Sequence, residues 1–311
     1  MWYIINLFLV SLLLFCSGCG PIKSGAKKVS EVSLDTLSAA KYKLLPKKKE
    51  PKKKVLIIPF ECAWNPKSEF GSKVSFKFAK NLKEIPSNIL VYLPKKPSSW
   101  KVIGPVPRFG IIKNKDLIRD ASSLGMHYLV TGIMDVMKVG QKPIGVWPFR
   151  HYDQIFESVL VINVIDTVTG ALVESHMESA KFNIPTKDIP KNQDKLFMIV
   201  LKHTLHEIIR AQTKMVTKVI EKDTWKGKIL QVYKNLGKIK ISGGKDVGIK
   251  KGMLFKVFNW GKEIYPLSGH PFYYLGKKIG IIKVVSVKDN YSLAIPLNKA
   301  DYKRGLPITF D

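Results

Sequence analysis

The chain has little cysteine, little acid and no long apolar stretch. Three cysteines in 311 residues, Cys16, Cys19 and Cys62, exclude a disulfide framework and a metal site built from paired C-x-x-C motifs. The apolar run Leu7–Phe15, even extended back across Asn6 to Trp2, falls short of the about 20 residues that a membrane-spanning helix needs. There is no G-x-S-x-G elbow, no P-loop and no G-x-G-x-x-G, so three common routes to catalysis or nucleotide binding are missing. His203, His206 and Glu207 stand as "HTLHE", which lacks the H-E-x-x-H order that puts two zinc ligands on one helix face. They read as surface or half-buried histidines. Asp166 in "DTVTG" reads as a turn residue capping its own backbone. The expectation is a protein that is not an enzyme and carries no metal and no cofactor.

What the chain does have is positive charge. Lys and Arg number 52 against 24 Asp and Glu, a formal net charge of +28. Lysine supplies nearly all of it, whereas bidentate phosphate recognition favours arginine. Two readings stand side by side: a compositional habit, or a basic surface drawn to anionic lipid head groups or cell-wall polymers.

The N-terminus has the form of an export signal. A short apolar run is followed by Ser17, Gly18 and Cys19, the length and flanks of a signal-peptide h-region. Small, small, Cys resembles the lipobox of bacterial lipoproteins, which implies removal of residues 1–18 and acylation of Cys19. Cys16 follows bulky Phe15 and does not fit that role. Gly20 carries none of the inner-membrane retention signal of an Asp, which implies the outer membrane, periplasmic face. Export removes nucleic acid from the partners.

Residues 19–54 read as a tether. From residue 20 they hold eleven lysines against Glu31, Asp35 and Glu50, and end in "KKKEPKKK"; such a segment cannot bury a core. Lys47, Lys48, Lys49, Lys52, Lys53 and Lys54 are its expected contacts to an anionic surface. "VLIIPF" (55–60) then reads as a strand covered on both faces and ended by Pro59. A helix is expected over 68–85, capped by Ser68, with Val74, Phe78 and Leu82 on one face and Gly71 an irregularity. "NILVYLP" (88–94) is a second strand, and residues 114–140 give helix, Gly125 stop and long strand. After a loop over 140–154, two strands meet in a hairpin at Asp166–Gly170. A long helix over 196–222 buries Phe197, Leu201, Leu205, Ile208, Met215 and Val219, with Gln212 on the same side. From Trp225 short strands and glycine turns predict a small barrel. The expected domains are 55–224 and 225–311.

The stretches "KKVLIIPF", "SLGMHYLVTGIMDV" and "LVINVIDTVTGALVES" resemble the domain shared by the N-terminal part of the Tol translocation protein B, the curli secretion lipoprotein and related exported proteins. The matching residues are Pro59-Phe60, Leu124-Gly125 with Gly132, and Asp166 with Thr169-Gly170. "VYKNLGKIKISGGKDVGIKKGMLFKVF", with Gly244, Gly248 and Gly252, resembles the C-terminal SH3-like domain of flagellar assembly protein T, as does the later "KKIGIIKVVSV" with Gly280. The resemblance implies a three-layer mixed-sheet α/β domain followed by an SH3-like β-barrel. It also implies a role in a ring around the flagellar rod, with other envelope or flagellar ring proteins as partners and a homo-oligomeric ring as a possibility.

The loop "QKPIGVWPFRHYDQ" (141–154) draws notice by composition. Ile144, Val146, Trp147, Phe149 and Tyr152 cluster there, with Pro143 and Pro148 expected to prevent strand or helix. If exposed, the cluster suits a partner or membrane contact; otherwise it folds over the sheet edge. A second aromatic excursion lies at 260–276. Three functional readings follow: a lipid-anchored scaffold or assembly factor of a surface machine of the flagellar kind, a regulator of cell-wall synthases, and a curli-type secretion lipoprotein.

Overall fold

The computed structural model describes residues 50–65, 69–95, 115–265 and 271–310. The expected Ser68 cap, Cys19 and Lys47, Lys48 and Lys49 lie outside them.

The aliphatic run after the lysines forms β1 (Lys53–Ile57). In a strand, successive side chains point to opposite faces. Val55 and Ile57 therefore join the core beneath two helices, while Leu56 and Ile58 pack on the other side against a third. Those helices are α1 (Phe70–Glu84) and α3 (Gln193–Lys222) on one face, and α2 (Lys115–Ser123) on the other. The layer between them is a mixed sheet in the order β3-β1-β4-β5-β6. Its members are β3 (Ile89–Tyr92), β4 (Tyr128–Ile144), β5 (His151–Asp166) and β6 (Leu172–Pro185), with the short β2 (Glu61–Cys62) against β4. β3, β1 and β4 run parallel; β4, β5 and β6 form an antiparallel meander.

Two glycines shape the turn after β1. A Cβ on Gly71 would lie 1.8 Å from the Phe60 carbonyl oxygen, and one on Gly132 would lie 2.7 Å from the Phe60 ring. The first turn of α1 thus rests on the backbone of Phe60, and the ring of Phe60 lies over bare backbone of β4. Gly71 is a packing requirement, the reason for the irregularity in an otherwise amphipathic helix.

On α3 the core face holds Phe197, Leu201, Leu205, Ile208 and Gln212, then Val216 and Ile220. Met215 and Val219, expected there, are only half-buried. A seven-residue extrapolation drifts by about 20° per heptad on a straight helix, which brings the next position round to the core. Gln212, fully buried, donates through Nε2 to the carbonyls of Leu160 (2.7 Å) and His176 (3.0 Å); its amide is satisfied by the sheet it faces.

The second body is a closed antiparallel barrel in the order β10-β11-β8-β7-β12-β9. Its strands are β7 (Lys226–Tyr233), β8 (Lys238–Ser242), β9 (Leu254–Ile264), β10 (Phe272–Val287), β11 (Tyr291–Pro296) and β12 (Pro307–Phe310). Alternate residues such as Ile239 and Ile241, Phe255 and Val257, and Ile282 and Val284 fill it. A mixed sheet with helices on both faces, followed by a small barrel, is the expected fold class.

Candidate functional site

The two ends of the sheet differ in what they do with polar and apolar side chains. At the end where β1 begins, the barrel docks, and the charges lie inside. Lys53 is 2% exposed. Its ammonium donates to the carbonyl of Ile220 at 2.8 Å and to that of Asp223, in the last turn of α3 and at the residue that caps it, where the helix dipole favours a cation. Lys54 pairs with Asp246 of the barrel, and the amide of Lys52 donates to Val247 (2.7 Å). Lys53 and Lys54 are therefore not free for an anionic surface: both belong to β1 and lock it to α3 and the barrel. Their burial follows from the pairing available at this junction, which no charge run reveals. Lys52 alone of the described members of that group is exposed.

Beside this lock, Lys226 bridges Asp166 (3.1 Å) and Asp223, and the Tyr128 hydroxyl donates to Asp223 at 2.6 Å. Burial works against both charges, yet the hydrogen bonds from Lys226 and Tyr128 hold Asp223 below its usual value, and Asp166 and Asp223 hold Lys226 above its own. The other oxygen of Asp166 accepts from the amides of Val168 (2.7 Å) and Thr169 (3.3 Å), the self-capping turn expected of "DTVTG". His127 accepts the amide of Lys54 at Nδ1 (2.9 Å), which fixes the neutral tautomer with its proton on Nε2. Burial, reinforced by nearby Lys54, depresses it to about 3. Its ring lies 5.2 Å from that of Trp225, which in turn lies 5.3 Å from Phe255 inside the barrel. A cavity of about 210 Å³ opens here, lined among others by Lys54, His127, Lys226, Lys228 and Asn290. Lys54 and Lys226 are already paired, and Lys228 donates to Ser122 (3.0 Å). These groups hold two bodies together.

At the other end the apolar groups lie outside. β4 and β5 continue beyond the expected boundary, pairing Gln141 with Gln154, Lys142 with Asp153, Pro143 with Tyr152 and Ile144 with His151. The segment 140–154 is thus a hairpin with a six-residue tip, Gly145–Arg150, rather than a long loop. Pro143 does not stop the strand because, among the described residues, β4 pairs on its other side only as far as Met134. Beyond that it is an edge, where proline loses no ladder bond. Lys138, Lys142 and a register shift between Lys138 and Gly140 mark the same edge, devices that discourage strand addition.

At the tip Val146 is 75% exposed, Trp147 85% and Phe149 81%. Tyr152 is exposed and Ile144 half-buried. The tip does not fold over the sheet edge. Gln141, Lys142, Arg150 and His151, just behind the tip, are all exposed and polar, with the less exposed Val139 and Tyr152 beyond them. From Lys138 to Gln154 there are three cations and a single carboxylate, Asp153, which lies 3.8 Å from His151.

Elsewhere, His203 stacks on Phe182 at 4.1 Å. Among the described residues no group of three His, Cys, Asp or Glu is placed to hold a metal ion. No described helix is long and apolar enough to cross a membrane.

No family model matches the chain, and no curated protein does. Solved structures do. The hypothetical protein CT253 of Chlamydia trachomatis is 12% identical, with a TM-score of 0.36 over 55% of this chain and 99% of that one. The lipoprotein GNA1162 of Neisseria meningitidis is 11% identical, with a TM-score of 0.28 over 53% and 99%. A minor lipoprotein of Acinetobacter baumannii is 9% identical, with a TM-score of 0.24 over 55% and 93%. At these values the likeness says nothing about what this chain does.

Proposed function

We propose that this chain is an exported, lipid-anchored envelope protein that performs no chemistry of its own. It serves as a scaffold on the periplasmic face of the outer membrane, in assembly of a surface machine of the flagellar kind. One observation carries the scaffold reading: among the described residues, Lys53, Lys54, Lys226 and Lys228 at the domain junction all have partners within the fold, while Val146, Trp147 and Phe149 at the hairpin tip are three-quarters or more exposed. A rigid body with an uncommitted aromatic projection is built to contact, not to convert. The envelope part is supported by the short apolar run ending in Ser17, Gly18 and Cys19. Cys62 is no rival for a lipid, because it is buried and burial pushes its thiol up to about 11.

Growth with radiolabelled palmitate tests the anchor. The wild-type chain is expected to carry label and to fractionate with the outer membrane, and Cys19→Ala to lose both. An unlabelled wild-type chain recovered from the cytosol would remove the envelope reading. Deletion of the gene is expected to disrupt the basal body; normal motility with an intact basal body would remove the flagellar part and leave the anchor standing.

A further inference from the structure

We propose that the tip of the β4–β5 hairpin is a lipid wedge. Val146, Trp147 and Phe149 enter the near leaflet of an anionic bilayer, and Lys142 and Arg150 behind them hold its head groups. This deepens the envelope reading, which places a bilayer at hand, yet it does not depend on acylation of Cys19.

Three features favour lipid over a protein groove. The apolar residues occupy the convex end of a projecting hairpin, whereas protein hot spots cluster in well-packed pockets within a broader patch. The change from apolar to cationic takes two positions on the β4 side, from Ile144 to Lys142, and one on the other, from Phe149 to Arg150. That is the profile of a bilayer boundary, where aromatic rings settle at the interface and basic side chains reach the phosphates. The charge is also complementary to an anionic surface, with three cations to one carboxylate along the arm.

The geometry further sets the depth. At about 3.3 Å per residue, two or three residues of loop beyond Ile144 and His151 reach about 7–10 Å, into the head-group and upper acyl region. Crossing requires strands of about 9–11 apolar-faced residues. Here Lys142 and Gln141 interrupt the apolar zone at once. The tip enters one leaflet and does not form a channel wall.

The test uses the full chain with the photoreactive residue p-benzoylphenylalanine placed at Phe149 and, as a control, at Asn235, an exposed barrel position. Each is irradiated with vesicles of phosphatidylcholine and phosphatidylglycerol in equal parts, and adducts are read by mass spectrometry. A phospholipid adduct at 149 and none at 235 is expected. The pair Lys142→Glu and Arg150→Glu should lower its yield at low salt, by about fivefold per cation removed. No lipid adduct at 149, or an equal one at 235, overturns the proposal. Adducts at 149 to protein alone, in vesicles or in intact cells, overturn it in favour of a protein groove. An unchanged yield in the charge-reversed pair overturns the role given to the cations. Repeating the measurement on Cys19→Ala separates the two readings: loss of palmitate label with the lipid adduct retained refutes the anchor and keeps the wedge.

Discussion

One end of the sheet buries lysines and the other exposes tryptophan, the reverse of what composition leads one to expect of each residue type. At the barrel end, Lys226 finds carboxylates dense enough to outweigh its desolvation, while Lys53, which burial holds below the usual lysine value, is kept inside by the carbonyls at the end of α3. At the hairpin end Trp147 and Phe149 remain more than four-fifths exposed. A residue's fate is decided by the partners that the topology brings to it. Polar groups inside a fold mark where bodies are locked, and apolar groups outside mark where a further body is expected.

The largest test of that contrast sets tryptophan against tryptophan. Trp225, fully buried between His127 and Phe255, should cost about 3–5 kcal/mol on truncation to Ala, read as the fall in denaturant midpoint at constant slope. A cost below about 1 kcal/mol would mean that the barrel does not rely on this ring for docking.

Lysine against lysine comes next. Lys53→Met takes the donor from the carbonyls of Ile220 and of the capping Asp223 and removes a cation from the C-terminus of α3, for about 2–3 kcal/mol. Lys52→Met, one residue earlier and exposed, should change stability by less than about 0.5 kcal/mol. Equal effects in the two variants would erase the distinction between locked and free lysines. The same lock carries a pH dependence. His127 is held neutral to about 3 in the folded chain, against about 6.5 for a free histidine. The unfolded chain therefore takes up a proton first, and the contribution is complete above pH 6.5 and lost as pH falls below it. The slope is about 1.4 kcal/mol per pH unit, so about 2 kcal/mol is gone by pH 5. His127→Asn should be less stable at neutral pH but lack that share of the slope, as urea titrations across this range would show.

Much of this was legible in the sequence because periodicity and turn chemistry are local. The alternating-face burial of "VLII", the stop at Gly125 and the self-capped turn at Asp166 each depend on a few neighbouring residues. What could not be read depends on distant pairs. Gly71 looked like a flaw in a helix until Phe60 arrived beneath it; only the close approach of two elements shows that it is needed. Lys53 and Lys54 read as the end of a charge run, since nothing near them in the chain announces carbonyls some 170 positions later. Pro143 read as a breaker because nothing local says that β4 is an edge at that point. For the hairpin, composition identified the aromatic residues, and topology showed that they project.

The smallest expected effect is the sharpest. Trp147→Ser with Phe149→Ser removes two large aromatic rings, a change that costs several kcal/mol in a core. At the tip it should move the unfolding midpoint by less than about 0.5 kcal/mol, because side chains more than four-fifths exposed have almost no folded-state contacts to lose. Removing exposed apolar area should also lower self-association, which sedimentation can follow. A loss of more than about 1 kcal/mol would mean that the rings pack on part of this same chain. The tip would then be a covered surface, and the contrast between the two ends of the sheet would disappear with it.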